Sequence, residues 1–210
     1  MTDTATPQTA VRGRERTRAL LLEAAAEVFG EVGLDAASVE AICDRAGFTR
    51  GAFYSNFDSK EELMLALTTQ MAEQKIEQVA QRVRELEATG ERLEPTQLVE
   101  RILDVAIDRR AGIALTSEIR TRAMRDPRLA ETYLAWQQGI TDRVGEVIAE
   151  LGRAYGFTPR LPEADFARLI MQTWEDTAAN AVIAGLDFDA MCALVNARTA
   201  QLATALVDPA

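Results

Sequence analysis

Apolar residues recur at spacings of three and four along nearly the whole chain, and strict apolar–polar alternation is hard to find. That period belongs to helices. The first run predicts a helix over 14–31, with Leu21, Ala25, Val28, Phe29 and Val32 as its apolar stripe and Gly33 at its end, where glycine suits a left-handed cap. Ser38 is placed to cap a short second helix that turns Val39, Ile42, Cys43 and Ala46 inward and stops at Gly47. Thr49 caps a third, flanked by Phe48 and Phe53 at staple spacing. Ser59-Lys60-Glu61-Glu62 reads as a capping box opening a fourth, which Leu63, Leu67, Met71 and Ile76 carry to about Leu86. Further helices are predicted over 95–109, 112–125, 127–155, 162–184 and 188–207, with Pro95, Pro127 and Pro162 in first turns. The expectation is an all-α protein of about nine helices, preceded by a polar, disordered arm over 1–11.

Composition narrows the chemistry. The chain has 210 residues, enough for a sizeable core, and no histidine. Ser-His-Asp and Cys-His catalysis and histidine metal sites are therefore excluded. Cys43 and Cys192 are far apart in apolar helical patterns and read as small buried residues, with no disulfide framework. No metal, no cofactor and no enzymatic activity are expected. No apolar run reaches the roughly 18 residues of a membrane span, and the first ten residues are too polar for a secretory signal; a cytoplasmic location is expected.

The net charge is −10, from 23 basic and 33 acidic residues, which by itself opposes binding to a phosphate lattice. The distribution alters this. Residues 1–60 are net −2, and Arg12, Arg14, Arg16 and Arg18 face a single acid, Glu15, in that stretch. Residues 38–57, SVEAICDRAGFTRGAFYSNF, place two short helices around a glycine-containing turn, the helix-turn-helix pattern. In such a motif the second helix enters the major groove. Gly51 and Ala52 are small enough for close approach, and Arg50, Tyr54, Ser55 and Asn56 carry donors for bases or phosphates.

From Arg18 to Leu63 the chain resembles the DNA-binding domain of the TetR family of transcriptional regulators. The likeness rests on the long first helix with Phe29 and Gly33, the Ser-Val helix start and Ala-Gly before the recognition helix. Phe-Tyr within that helix and Phe-x-Ser-Lys-Glu-Glu-Leu after it complete the match. Cys43, Phe48 and Asn56 stand where alanine, valine and histidine are frequent in the family. The resemblance implies a helix-turn-helix domain over 12–60 and a ligand-binding and dimerisation domain over 61–210. It implies that Ser38, Tyr54, Asn56 and Lys60 contact phosphates, that Thr49, Arg50, Gly51 and Ala52 line the groove, and that Arg12 and Arg14 reach the backbone or minor groove. The expected partners are double-stranded DNA carrying an inverted repeat, a small-molecule effector and a second copy of the chain.

In the larger part, Tyr133, Trp136, Met171 and Trp174 are candidates to line an effector cavity, with Glu118 and Glu175 as its acids. Those acids, with Asp176, either face the ligand or pair with Arg120, Arg122 or Arg168. Phe166, Ile170 and Ala181 on one helix and Leu194, Arg198 and Leu202 on the next are the candidate dimer interface. The function expected is a repressor released from a palindromic operator by a small molecule. The alternatives are an activator of the same family, or a small-molecule-binding helical module that no longer meets DNA.

Overall fold

The computed structural model describes residues 7–91, 93–103 and 110–209. Among these are nine helices: α1 (Pro7–Ala36), α2 (Val39–Ala46), α3 (Arg50–Tyr54), α4 (Lys60–Thr89), α5 (Pro95–Leu103), α6 (Arg110–Ala123), α7 (Pro127–Tyr155), α8 (Glu163–Ile183) and α9 (Phe188–Leu206). The class is all-α. Two three-residue strands, β1 (Phe157–Pro159) and β2 (Val207–Pro209), pair antiparallel with Thr158 opposite Asp208. The sequence pattern gave no sign of this ribbon. Arg160 fastens it, donating from its backbone N–H to the Leu206 carbonyl at 2.8 Å and from Nε to the Asp208 carboxylate at 2.8 Å.

Helix ends follow the capping chemistry. Ser38 Oγ accepts from the Ala41 N–H and Thr49 Oγ1 from the Ala52 N–H. The Asp126 carboxylate accepts from Arg128 and Leu129 at the head of α7, with Pro127 in the first turn. At Ser59 the box is displaced by one residue, because Glu62 reaches back to the Asp58 N–H rather than to that of Ser59. α1 starts at Pro7, so part of the stretch read as a disordered arm is helical, and it breaks at Gly33, where φ is 80° and ψ is 169°. Such a φ strongly favours glycine. Beyond Leu103, the rest of the helix expected to reach Arg109 lies outside the described residues.

The chain divides into two compact units, one ending at Thr69 and one beginning at Gln70. The division falls inside α4 rather than at its start, since Leu63, Met64 and Leu67 in its first turns are buried. In the first unit α1 packs on α2, and α2 on α3. Leu21, Ile42, Phe53 and Phe57 are almost completely enclosed. Val32, expected on the apolar stripe of α1, is instead 52% exposed one residue before the Gly33 break. In the second unit α8 packs against α7 and α9, α5 against α9, and α6 against α7 and α8. Its core runs through Ile113, Ala178, Ala181, Met191 and Val195 and, separately, through Ile148, Phe166, Ala167, Ala203 and Val207.

Phe53 is fully buried and touches two other rings, Tyr54 edge-on at 5.3 Å and Phe57 at 5.7 Å. Phe53→Ala is therefore expected to lower unfolding stability by about 3–5 kcal/mol. A denaturant titration followed by circular dichroism measures it, and a loss below about 1 kcal/mol would show that the site collapses onto the smaller side chain.

Candidate nucleic-acid interface and effector region

α3 has five residues, and its geometry is set by what surrounds it. Phe53 anchors its inner face, Thr49 caps its start, and Tyr54 is 48% exposed on its outer side. Gly51 is also exposed, and a methyl group there would meet only Thr49 Oγ1 at 3.7 Å, an ordinary contact. The protein's own packing does not require glycine at 51. Ala52 is half-buried, and Ser55 Oγ donates to the Gly51 carbonyl at 2.8 Å.

Three of the expected DNA contacts are engaged inside the protein. Arg14 Nη2 donates to the Ser55 carbonyl at 3.0 Å, at the C-terminal end of α3. Asn56, expected to reach a phosphate or base, is only 9% exposed; its Nδ2 donates to the Ala52 carbonyl at 2.8 Å and its Oδ1 is buried with no partner in the protein. Lys60, expected to grip a phosphate, donates from Nζ to the carbonyls of Leu34 and Ala37, both at 3.0 Å. These internal hydrogen bonds share one cause: a short helix and a broken one leave carbonyls without intrahelical partners, and nearby donors satisfy them. The side chain of Arg12 lies outside the described residues.

Two residues outside the candidate DNA contacts complete this region. Arg18 donates from Nη1 to the Asn56 carbonyl at 2.8 Å, and its guanidinium lies 4.2 Å from the centre of the Phe57 ring. The signal was present, because Arg18 sits three residues before Leu21 on the core-facing stripe of α1, an odd place for a solvated cation. Glu40 pairs with Arg50, Oε1 to Nη1 at 2.6 Å, across the two helices of the motif. The Tyr54 hydroxyl and then Glu40 hold Arg50 even more firmly in its charged form, and the Tyr54 ring centre is 6.0 Å from the guanidinium. Arg45 bridges to Glu27 and Glu31, which leaves the outward faces of Thr49, Arg50, Gly51 and Tyr54 as the open surface of the motif.

In the second unit the candidate effector residues carry unmet hydrogen-bonding capacity. Tyr133 is 5% exposed, and its hydroxyl has no partner in the protein; the same is true of Nε1 of Trp136 and of Trp174. The Tyr133 and Trp136 rings lie 5.4 Å apart, Trp174 packs on the core around Ile113 and Ala178, and Met171 is half-buried. The acids separate into two groups. Glu118 pairs with Arg122 at 2.6 Å, and Asp176 accepts from Asn180 at 3.0 Å. Glu175 makes neither a hydrogen bond nor an ion pair among the described residues; burial pushes its carboxyl group up, against the weaker pull of Arg120. Burial likewise raises the Tyr133 phenol, with the charge of Glu175 adding to it.

Of the residues expected at a dimer interface, Phe166 and Ala181 are enclosed in the protomer's own core, at 3% and 1% exposure. Helical periodicity marks a buried face without saying what buries it. Ile170, Leu194 and Leu202 are half-buried and Arg198 is exposed, alongside Leu169 and Ile183 at 38% and 82% exposure. Among the described residues no helix is long and apolar enough to cross a membrane, and no cluster of acids or cysteines could hold a metal ion.

Residues 21–67, which hold α2, α3 and the packed part of α1, match the model of bacterial regulatory proteins, tetR family. The matched stretch is a TetR-family helix-turn-helix domain. Similar proteins extend the match beyond the first unit. The transcriptional regulator UidR of Escherichia coli K12 is 27% identical over 155 residues, 74% of this chain and 76% of that protein. The transcriptional activator FasR of Mycolicibacterium smegmatis is 31% identical over 136 residues, 65% of this chain and 60% of that protein. In fold, the chain resembles a TetR-family regulator from Mesorhizobium loti with a TM-score of 0.67 and 18% identity over 91% of this chain and 97% of that one. The regulator FadR of Bacillus subtilis, solved with stearoyl-CoA, gives a TM-score of 0.61 at 18% identity over 90% of this chain and 98% of that one. With that domain and these regulator relatives, the chain is a DNA-binding transcriptional regulator.

Two expectations follow from the geometry. Replacing Lys60 with Met removes the charged donor from two carbonyls and is expected to cost about 1–3 kcal/mol of stability. An unchanged thermal melt together with weaker binding to every DNA sequence would return Lys60 to the phosphate backbone. For Glu175, a carboxyl raised on folding imposes a penalty that is absent below its unfolded pKa and complete above its folded one. Glu175→Gln should therefore raise the melting temperature at neutral pH, with the gain vanishing towards pH ~4. A gain that persists at low pH would point to altered packing instead.

Proposed function

We propose that this TetR-family regulator is a dimeric repressor that a small molecule releases from an inverted-repeat operator. The helix-turn-helix unit that begins near Arg12 reads DNA, and the helical unit after it binds the effector and dimerises. Arg50 supplies base readout, and Ser38, Thr49, Tyr54 and Ser55 supply backbone contacts. Support for the reader comes from the exposed surface of Thr49–Tyr54, where Gly51 serves no packing need of the protein itself.

The observation that carries the effector half is the set of buried donors without partners in the protein, Tyr133 Oη and the two indole Nε1 atoms, with the charge of Glu175 bearing on Tyr133. Each unmet buried polar group costs about 1–3 kcal/mol, and a ligand that accepts from these donors recovers that cost. The matching molecule presents acceptor oxygens to Tyr133 and Trp136, a hydroxyl, amide or ammonium group to Glu175, and an apolar or aromatic body to the rings. Because Glu118 and Asp176 are already partnered within the protein, Glu175 is the acid that faces it.

Dimerisation is assigned to the outer faces of α8 and α9, where Leu169, Ile183, Ala193, Ala197 and Arg198 are exposed. A two-fold interface matches a palindromic site, with recognition helices roughly 34–36 Å apart on adjacent major grooves. Release needs an effector that binds the DNA-incompetent conformer better than the competent one. FasR is named an activator, and that relative favours a second reading in which the same machinery activates from a different operator position.

Selection of duplexes from a random pool by the purified protein tests the reader. The expected product is an inverted repeat, with Arg50→Ala lowering affinity for it by about 1–3 kcal/mol and relaxing one base position. Light scattering should give a dimer at micromolar concentration. Compounds that shift tryptophan emission should also dissociate the selected duplex, and Trp174→Ala should weaken that effect while sparing DNA binding without ligand. Recovery of no common sequence, or a monomer bound to single half-sites, would overturn the proposal.

A further inference from the structure

Glu40 is an acid in the first turn of α2, two residues after the cap Ser38, on a surface meant to meet phosphates. Nothing in folding accounts for it well. Its pair with Arg50 leaves both side chains more than half exposed, at 54% and 60%, and exposed pairs add little stability. The dipole of α2 favours an acid at this end, but that effect is indifferent to Arg50. Against these small gains stands the repulsion between a carboxylate and the DNA backbone.

What the pair does achieve is orientation. A free arginine at the head of a five-residue helix samples many rotamers and serves any phosphate in reach. Here Glu40 takes the Nη1 end of the guanidinium, and the Tyr54 ring stands 6.0 Å away. The Tyr54 hydroxyl is a second partner of the same guanidinium, so two side chains of the motif hold it while 60% of the Arg50 side chain stays exposed to an outside acceptor. A guanidinium held in one direction offers its remaining N–H donors in a fixed geometry, and paired N–H donors match O6 and N7 of guanine in the major groove.

We propose that Glu40 is a specificity-determining residue: by holding Nη1 it fixes the direction of the Arg50 guanidinium so that its remaining N–H donors read a single guanine. The proposal rests on the assignment of Arg50 as the base reader. Glu40 acts through Arg50 and is a positioning residue; its negative charge also disfavours looser docking, in which Arg50 swings to a phosphate.

The test compares the unmutated protein with Glu40→Gln, Glu40→Ala, Arg50→Ala, the Glu40→Ala/Arg50→Ala double variant and Asp44→Asn. Asp44→Asn removes one negative charge from the exposed side of the same helix. Each protein is titrated with the duplex that the unmutated protein selects from a random pool and with a scrambled duplex, at two salt concentrations. The expected result is an affinity ratio between the duplexes that falls about tenfold in both Glu40 variants, within the worth of one bidentate base contact. The double variant should fall no further than Arg50→Ala alone, the mark of two residues acting as a unit. Asp44→Asn should change both affinities by one factor and leave the ratio intact. Pools selected by Glu40→Gln should lose preference at one guanine position. If the Glu40 variants bind both duplexes more tightly by the same factor, Glu40 acts as bulk charge and the proposal is overturned. If Arg50→Ala itself leaves the ratio unchanged, the assignment of Arg50 fails, and the role of Glu40 fails with it.

Discussion

A helix of five residues cannot hold itself together. Nucleating a helix fixes several backbone torsions for each early hydrogen bond, and isolated helices shorter than about 12 residues are marginal in water. α3 is therefore a product of its surroundings. Phe53 and Phe57 fix its inner face, Thr49 satisfies its first N–H groups, and Arg14 and Arg18 reach from α1 to the carbonyls of Ser55 and Asn56 just beyond its end. The arginines also place positive charge where the helix dipole is negative. The angle at which the reading surface meets a groove is thus set by α1.

This arrangement changes how the charge of the first unit should be understood. Counted along the sequence, its basic residues look like a supply of phosphate contacts. In the structure Arg14, Arg18 and Lys60 are bound to backbone carbonyls, Arg45 to Glu27 and Glu31, and Arg50 to Glu40. Few cations stand ready for phosphates, in keeping with a unit that is not basic overall. Under the proposed reading, recognition leans more on shape, on capped helix starts at Ser38 and Thr49, and on directed contacts from α3 than on bulk attraction.

The parts legible in the sequence were those with local causes. Ser38, Thr49 and the α7 start at Pro127 announce themselves because a cap and its N–H partner lie within three residues of each other. α7 was bounded to the residue for that reason. Features with distant causes stayed hidden. β1 and β2 are three residues each and meet across about fifty positions of chain, too short for alternation to register. Phe166 and Ala181 showed a buried stripe, but periodicity does not distinguish a protomer's own core from a partner's surface. Asn56 turned inward because the end of α3 needed a donor, a demand visible only once the helix is known to stop at Tyr54.

The two units treat buried polar groups in opposite ways. Around α3 the buried side-chain polar atoms of the described residues find partners, with Asn56 Oδ1 the exception. In the second unit Tyr133, Trp136 and Trp174 bring buried donors that the fold does not satisfy. Phenylalanine at 133 would supply the same ring without the cost of an orphaned hydroxyl, so stability alone does not explain the tyrosine there. Under the proposed reading an effector meets these polar atoms, and Glu175, whose charge bears on Tyr133, adds an acceptor to the same site.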